Sequence, residues 1–127
     1  MELEPGGNDT VFTAYVIITA VAVVANVSAA VADLVPARFV LANMEEVGVP
    51  RFWLAPLGVL KGAGAAGLLL GLLGLRSLGT AAAIGLTIFF AGALATHVRA
   101  RVFHNIAFPG AFFALATADT VLAIIAP

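Results

Sequence analysis

Four runs of apolar residues, separated by short polar segments, dominate the chain. A helix needs about 20 consecutive apolar residues to cross the hydrocarbon core of a bilayer. The runs lie at residues 10–34, 53–75, 77–97 and 105–126. The first is rich in Val and Ala and uncharged from Thr10 to Ala32, and the third is uncharged from Ser77 to Thr96. The second is interrupted by Lys61 and the fourth by Asp119. These runs are too long for buried strands and lack the alternation of barrel strands, so each is predicted to be a helix.

The connections refine this picture. Spans two and three are joined only by Arg76 and its neighbours, which predicts a tight antiparallel hairpin. The first connection places Phe39, Val40, Met44 and Val47 at helical spacing beside Arg38, Glu45 and Glu46. That pattern predicts a short amphipathic helix at the membrane interface, ended by Gly48 and Pro50. The expected fold is all-α: an antiparallel bundle of four transmembrane helices, with an interfacial amphipathic helix between spans one and two. It forms a single membrane domain over residues 1–127. In lipid, helices associate through close packing of small residues. Gly58, Gly62, Gly67 and Gly71 on span two, and Gly79, Gly85 and Gly92 on span three, are expected to face protein, within the monomer or across a homodimer.

Composition decides the solvent. Of 127 residues, 62% are hydrophobic and 10% charged. Soluble domains average about 45–50% apolar and about 25% charged. A soluble or disordered chain is excluded, and the lipid bilayer is the first partner. The net charge is −1 with no basic stripe, so no nucleic-acid partner is expected. The absence of cysteine excludes disulfides, thiol relays, zinc-thiolate sites and Cys nucleophiles. The start, Met1-Glu2-Leu3-Glu4-Pro5, is acidic and lacks the basic region of a signal peptide, so the first span is expected to be retained.

The informative residues are polar ones inside the spans. A charge at mid-membrane costs at least about 2.5–3.5 kcal/mol. Counting about 1.5 Å per residue puts Lys61 roughly 12 Å below Trp53 and Asp119 roughly 16 Å below Phe108. At those depths an ion pair between them is the expected way to tolerate both. On span one, Tyr15, Thr19, Asn26 and Asp33 fall on one narrow stripe. His97 is placed at the cytoplasmic mouth, and Phe108 and Phe112 share a face with Asp119. The candidate catalytic residues are Asp119, Lys61 and His97. The candidate ligand-binding residues are Asn26, Tyr15, Asp33, Phe108 and Phe112. His97 and His104 flank one loop without metal-ligand spacing, so no metal is expected.

The segment from Val47 to Arg99 resembles the DoxX-like family of four-helix membrane proteins. The resemblance rests on the turn Gly48-Val49-Pro50, on Leu57-Gly58-Val59-Leu60-Lys61 opening a Gly/Ala/Leu-rich helix, and on the ending Thr96-His97-Val98-Arg99. It implies a four-helix bundle in a membrane. Some relatives are associated with quinone-linked oxidation of sulfur compounds or with redox homeostasis. Family members commonly carry an acid where this chain has Lys61, which points to a different ligand.

The expected function is binding of a lipophilic small molecule in the bundle, with intramembrane acid/base chemistry: isomerisation, cyclisation or quinone-linked redox. A non-catalytic subunit of a larger membrane oxidoreductase and a small transporter are the alternatives. No cofactor is expected apart from a quinone. For orientation, Arg38, Arg51, Arg99 and Arg101 lie on one side and Arg76 alone on the other. The positive-inside rule then puts both termini outside the plasma (inner) membrane. Reporter fusions at Pro127 should therefore be active in the extracytoplasmic compartment, and cytoplasmic activity would overturn the assignment.

Overall fold

The computed structural model describes residues 5–127, so the acidic residues 1–4 and the expectation drawn from them lie outside the described residues. The helices are α1 (Pro5–Leu34), α2 (Arg38–Val47), α3 (Leu54–Leu72), α4 (Arg76–Ala100) and α5 (Ala107–Ile125). A 3-10 turn at Arg51–Trp53 leads into α3. All but α2 are long and apolar enough to cross a membrane. The described residues contain no strand. The all-α, four-span expectation holds, and the amphipathic connector is helical as expected.

Local chemistry sets the ends. Gly48 closes α2 in the left-handed region at φ 76°, and the Val49 N–H returns to the Met44 carbonyl at 2.9 Å. Only glycine adopts that backbone without a Cβ penalty. Met44 and Val47 pack inward while Phe39 is exposed, which suits a helix lying at a bilayer boundary. Phe52, Trp53, Phe103 and Phe108 are exposed in connections or first turns at the same end of the bundle. α4 runs past the expected residue 97 to Ala100 and stops where Arg101 turns left-handed at φ 58°.

The four long helices form a closed ring in which α1 and α4 each pack against α3 and α5. Inward positions recur every three or four residues. On α1 they are Tyr15, Thr19, Ala22, Asn26, Ala30 and Asp33, while Val24, Val27 and Val31 face outward. The apolar centre is small: Ala22, Leu68, Ala83, Leu86, Phe90 and Ala116.

Helix contact is closest between α3 and α4. A Cβ built on Gly71 would stand 2.6 Å from the Gly79 Cα, and one on Gly67 would stand 2.7 Å from the Ala82 Cβ. The glycine expectation needs correction elsewhere. A Cβ on Gly85 or Gly92 would meet nothing within 4 Å, so these two do not serve helix packing inside this chain. Their positions fall off the inward line of α4, which runs through Gly79, Ala83, Leu86 and Phe90. Gly62 makes only an ordinary approach, with Ala30 at 3.8 Å.

Arg76 closes the opposite end. Its Nη2 donates to the Ala126 carbonyl at 3.1 Å, and its guanidinium lies 4.1 Å from the centre of the Tyr15 ring. A terminal carbonyl of α5 thus gains a donor, and Tyr15 is held at that end.

Because backbone cannot yield as a side chain can, Gly71→Ala should destabilise by about 1–3 kcal/mol, the usual cost of overpacking. Gly62→Ala should be neutral or stabilising, by up to about 1 kcal/mol from helix propensity. Thermal unfolding in detergent, followed by circular dichroism, compares them. A Gly71→Ala midpoint at or above wild type would contradict this account of the α3–α4 contact.

Candidate functional site

The polar stripe of α1 supplies one residue to each of several levels of the bundle. Tyr15, Thr19, Asn26 and Asp33 are all buried, as their spacing predicts. Each meets different surroundings, and the polar groups do not gather into one cluster.

Near the α2 end, Asp33 accepts a hydrogen bond from Lys61 at 2.8 Å, forming an ion pair between α1 and α3. The Lys61 ammonium also lies 5.6 Å from the centre of the Phe89 ring. The expected partnership of Lys61 with Asp119 is therefore incorrect, and the register explains why. Gly58 abuts Asp33 and Leu34, and Gly62 approaches Ala30. Lys61 thus sits level with Ala30 and Val31, one turn from the end of α1. The 3-10 turn and first turn of α3 project beyond that end, so counting from Trp53 overstated its depth. Asp119 is level with Thr19, roughly 16 Å further along the bundle axis. No lysine side chain covers that distance.

Asp119 occupies the middle of the bundle at 1% exposure. Thr19 donates to its Oδ1 at 2.5 Å, linking α1 to α5. Thr80, Thr87, Thr96 and Thr117 each donate to the carbonyl four residues back in their own helix. Thr19 instead reaches across to another helix. The second carboxyl oxygen, Oδ2, is buried and has no hydrogen-bond partner.

Asn26 lies between these levels at 2% exposure. Its Nδ2 donates to the Ala22 carbonyl at 2.9 Å. That carbonyl can only accept, which fixes the amide with Oδ1 turned away. Oδ1 is buried and has no partner. Asn26 is seven residues beyond Thr19, and Phe112 is seven residues before Asp119 on an antiparallel neighbour, so the two share a level. Phe112 packs against Phe90 with ring centres 5.0 Å apart.

His97 is buried at the α2 end, not open at a mouth. One ring nitrogen lies 3.0 Å from the Ala93 carbonyl and the other 3.2 Å from Asn43 Oδ1. Asn105 donates to the same Asn43 oxygen at 2.7 Å. This group joins α2, α4 and the segment entering α5. His104 and Glu46 form a second, exposed contact at 2.7 Å between α2 and that segment. Asn43 and Asn105 were not singled out from sequence. Asn43 belongs to the polar side of an amphipathic helix, and Asn105 to a span boundary, where asparagine is unremarkable.

Phe108 requires a correction. It is 70% exposed and lines no interior space. The inward line of α5 runs from Asp119 through Ala116 and Phe112 to half-buried Pro109, and Phe108 falls beside it. Tyr15 is tied to Arg76 at the far end, away from Lys61.

Among the described residues, no group of three or more His, Asp and Glu side chains is placed to hold a metal ion. An apolar groove lies on the outer face between α3 and α4, lined by residues such as Leu60, Gly64, Gly67, Ala82 and Phe89. It contains neither Asp119 nor Asn26. Those two lie on α1 and α5, which make the least extensive contact of the four neighbouring helix pairs. Chemically, the interior offers one carboxyl group with a free oxygen, one amide oxygen with no donor, and aromatic rings at the level of the amide.

The sequence model of the DoxX-like family matches residues 17–118, from the middle of α1 to the residue before Asp119. No curated protein and no solved structure matches the chain.

The ion pair gives a direct test. Lys61→Met or Asp33→Leu alone should destabilise, by somewhat less than the about 3–5 kcal/mol typical of fully buried pairs, because Lys61 is 16% exposed. The double variant should recover part of that loss, whereas Lys61→Met combined with Asp119→Leu should be additive. Thermal unfolding of the set decides it, and coupling of Lys61 to Asp119 instead of Asp33 would refute the pairing.

Proposed function

The chain belongs to the DoxX-like family, and we propose that this small membrane protein binds a lipophilic small molecule inside its helix bundle and exchanges a proton with it at Asp119. The observation that carries the reading is the state of that carboxyl group. It is fully buried at mid-bundle, it has no basic partner, and its Oδ2 meets no hydrogen-bonding group. Polar groups within membranes are expensive, and those retained there mark functional positions by default.

The pairing pattern selects among the reactions. Lys61 is engaged by Asp33, so Asp119 does not have a lysine to hand a proton to. A single carboxyl group suits isomerisation. The carboxylate takes a proton from one carbon of the ligand, and the resulting acid, exchanging with water in part of the turnovers, returns a proton at another, so protons balance without a second base. Thr19 holds the carboxyl in one orientation throughout. Phe90 and Phe112 supply apolar surface for the skeleton of the ligand. The ligand reaches this space from the bilayer by parting α1 from α5, where Ala22 and Ala116 present little bulk. Lys61, Asp33 and His97 then serve architecture and are not catalytic.

Isotope incorporation tests this even while the substrate is unidentified. Membranes containing the protein are incubated in deuterated water, and their lipid-soluble extract is compared by mass spectrometry with that of membranes lacking it. One species should gain deuterium with wild type and with Lys61→Met, and lose that gain with Asp119→Asn. Equal labelling with Asp119→Asn, or no labelled species with wild type, would leave the non-catalytic subunit as the better reading.

A further inference from the structure

Asn26 is not needed by the proton-transfer reading, and it makes no tie to another helix. Its side chain bonds only within α1, to the Ala22 carbonyl. Its Oδ1 is left buried and without a partner in a bundle surrounded by lipid. An unpaired buried acceptor costs about 1–3 kcal/mol, and leucine at this position would avoid that cost.

Water is a poor explanation for the missing partner. A buried water needs two to four polar groups around it. The level of Asn26 is occupied by Phe112, with Phe90 against it. The group that Asn26 does meet, the Ala22 carbonyl, already accepts from its Nδ2. The surroundings suit an apolar body, and the free oxygen suits one donor on that body.

We propose that Asn26 is a specificity residue that selects a lipophilic molecule bearing a hydroxyl group, the hydroxyl donating to Asn26 Oδ1. The argument turns on the direction of the bond. An amide oxygen accepts at every pH and never donates. A molecule whose only polar groups are carbonyl or ether oxygens cannot satisfy it, whereas a phenol or alcohol can. The apolar part of the same molecule lies against Phe112 and Phe90. Because Asn26 is about 10 Å from Thr19 along α1, the remainder of a ligand anchored there extends toward Asp119. The inference rests on the proposed binding of a lipophilic ligand within the bundle.

A matched pair of probes separates the two ideas. Nonylphenol and nonylanisole share size and apolar character, and only the phenol donates. Each is titrated into the purified protein in nanodiscs, and the concentration giving half of the maximal rise in unfolding temperature is read. The phenol should act at about tenfold lower concentration, as one hydrogen bond supplies. In Asn26→Leu that advantage should shrink to within about twofold, while nonylanisole stabilises as before. Should Asn26→Leu fail to fold, Asn26→Ala is read in its place, because the wild-type comparison alone would not separate Asn26 Oδ1 from the free Asp119 Oδ2. Equal potency of the two probes on wild type overturns the role of Asn26 and leaves binding in the bundle standing. No stabilisation by either probe overturns both.

Discussion

Every polar group inside this bundle must find its partner within the protein, because the surrounding lipid offers none. The architecture follows from how that requirement is met at each level. At one end Arg76 serves the last carbonyls of α5 and the Tyr15 ring. At the other, Lys61 neutralises Asp33, and Asn105 and His97 both meet Asn43 Oδ1. The ends of the helices are thus bound by polar contacts. The near contact of the α3 and α4 backbones at Gly71 and Gly79 adds to the Arg76 end, and the middle is held by apolar surface. Close backbone approach replaces the hydrophobic effect that would hold such helices together in water.

The features of the fold that depend on one segment at a time are legible in the sequence. Span length identifies the four long helices, and spacing identifies α2. The stripe of Tyr15, Thr19, Asn26 and Asp33 is likewise internal to α1, since 100° per residue places these side chains on one face whatever α1 packs against. Partnerships between helices depend on register, and there the reading fails. Depth measured from the end of each helix assumes that all ends lie in one plane. The first turn of α3 overhangs α1, which brings Lys61 to Asp33 and leaves it far from Asp119. Phe108 fails for a related reason. Four residues from Phe112 is close to one face, yet the inward line of α5 shifts to Pro109 at that level.

Between the polar ends, what remains after the pairings are assigned lies on α1 and α5. Of the buried side-chain atoms without partners, Asn26 Oδ1 and Asp119 Oδ2 lie within these two spans, between the polar ends. The contact between α1 and α5 is also the least extensive in the ring. A seam of limited extent with unsatisfied polar atoms is poor architecture if stability were the sole requirement. It is an appropriate arrangement for a surface that exchanges its contacts with a guest molecule. Local stability is characteristically low where ligands bind.

The residue after Asp119 shows that an acid is not required to hold α5 in place. Thr120 lies 3.3 Å from Thr87 on α4, so two neutral hydroxyls connect those helices. Each hydroxyl has a single proton, so one donates to the other while its partner donates to a carbonyl of its own helix, and neither oxygen is stranded. The same device at position 119 would let α5 meet Thr19 on α1 without placing a carboxyl group in the membrane. Asp119 instead leaves one oxygen without a partner where a charge costs at least about 2.5–3.5 kcal/mol. Registry does not account for that choice, because a threonine next to it already provides registry at no such cost. The proposed proton exchange would account for it, because a carboxyl group can give and take a proton as an acid–base group and a threonine hydroxyl cannot.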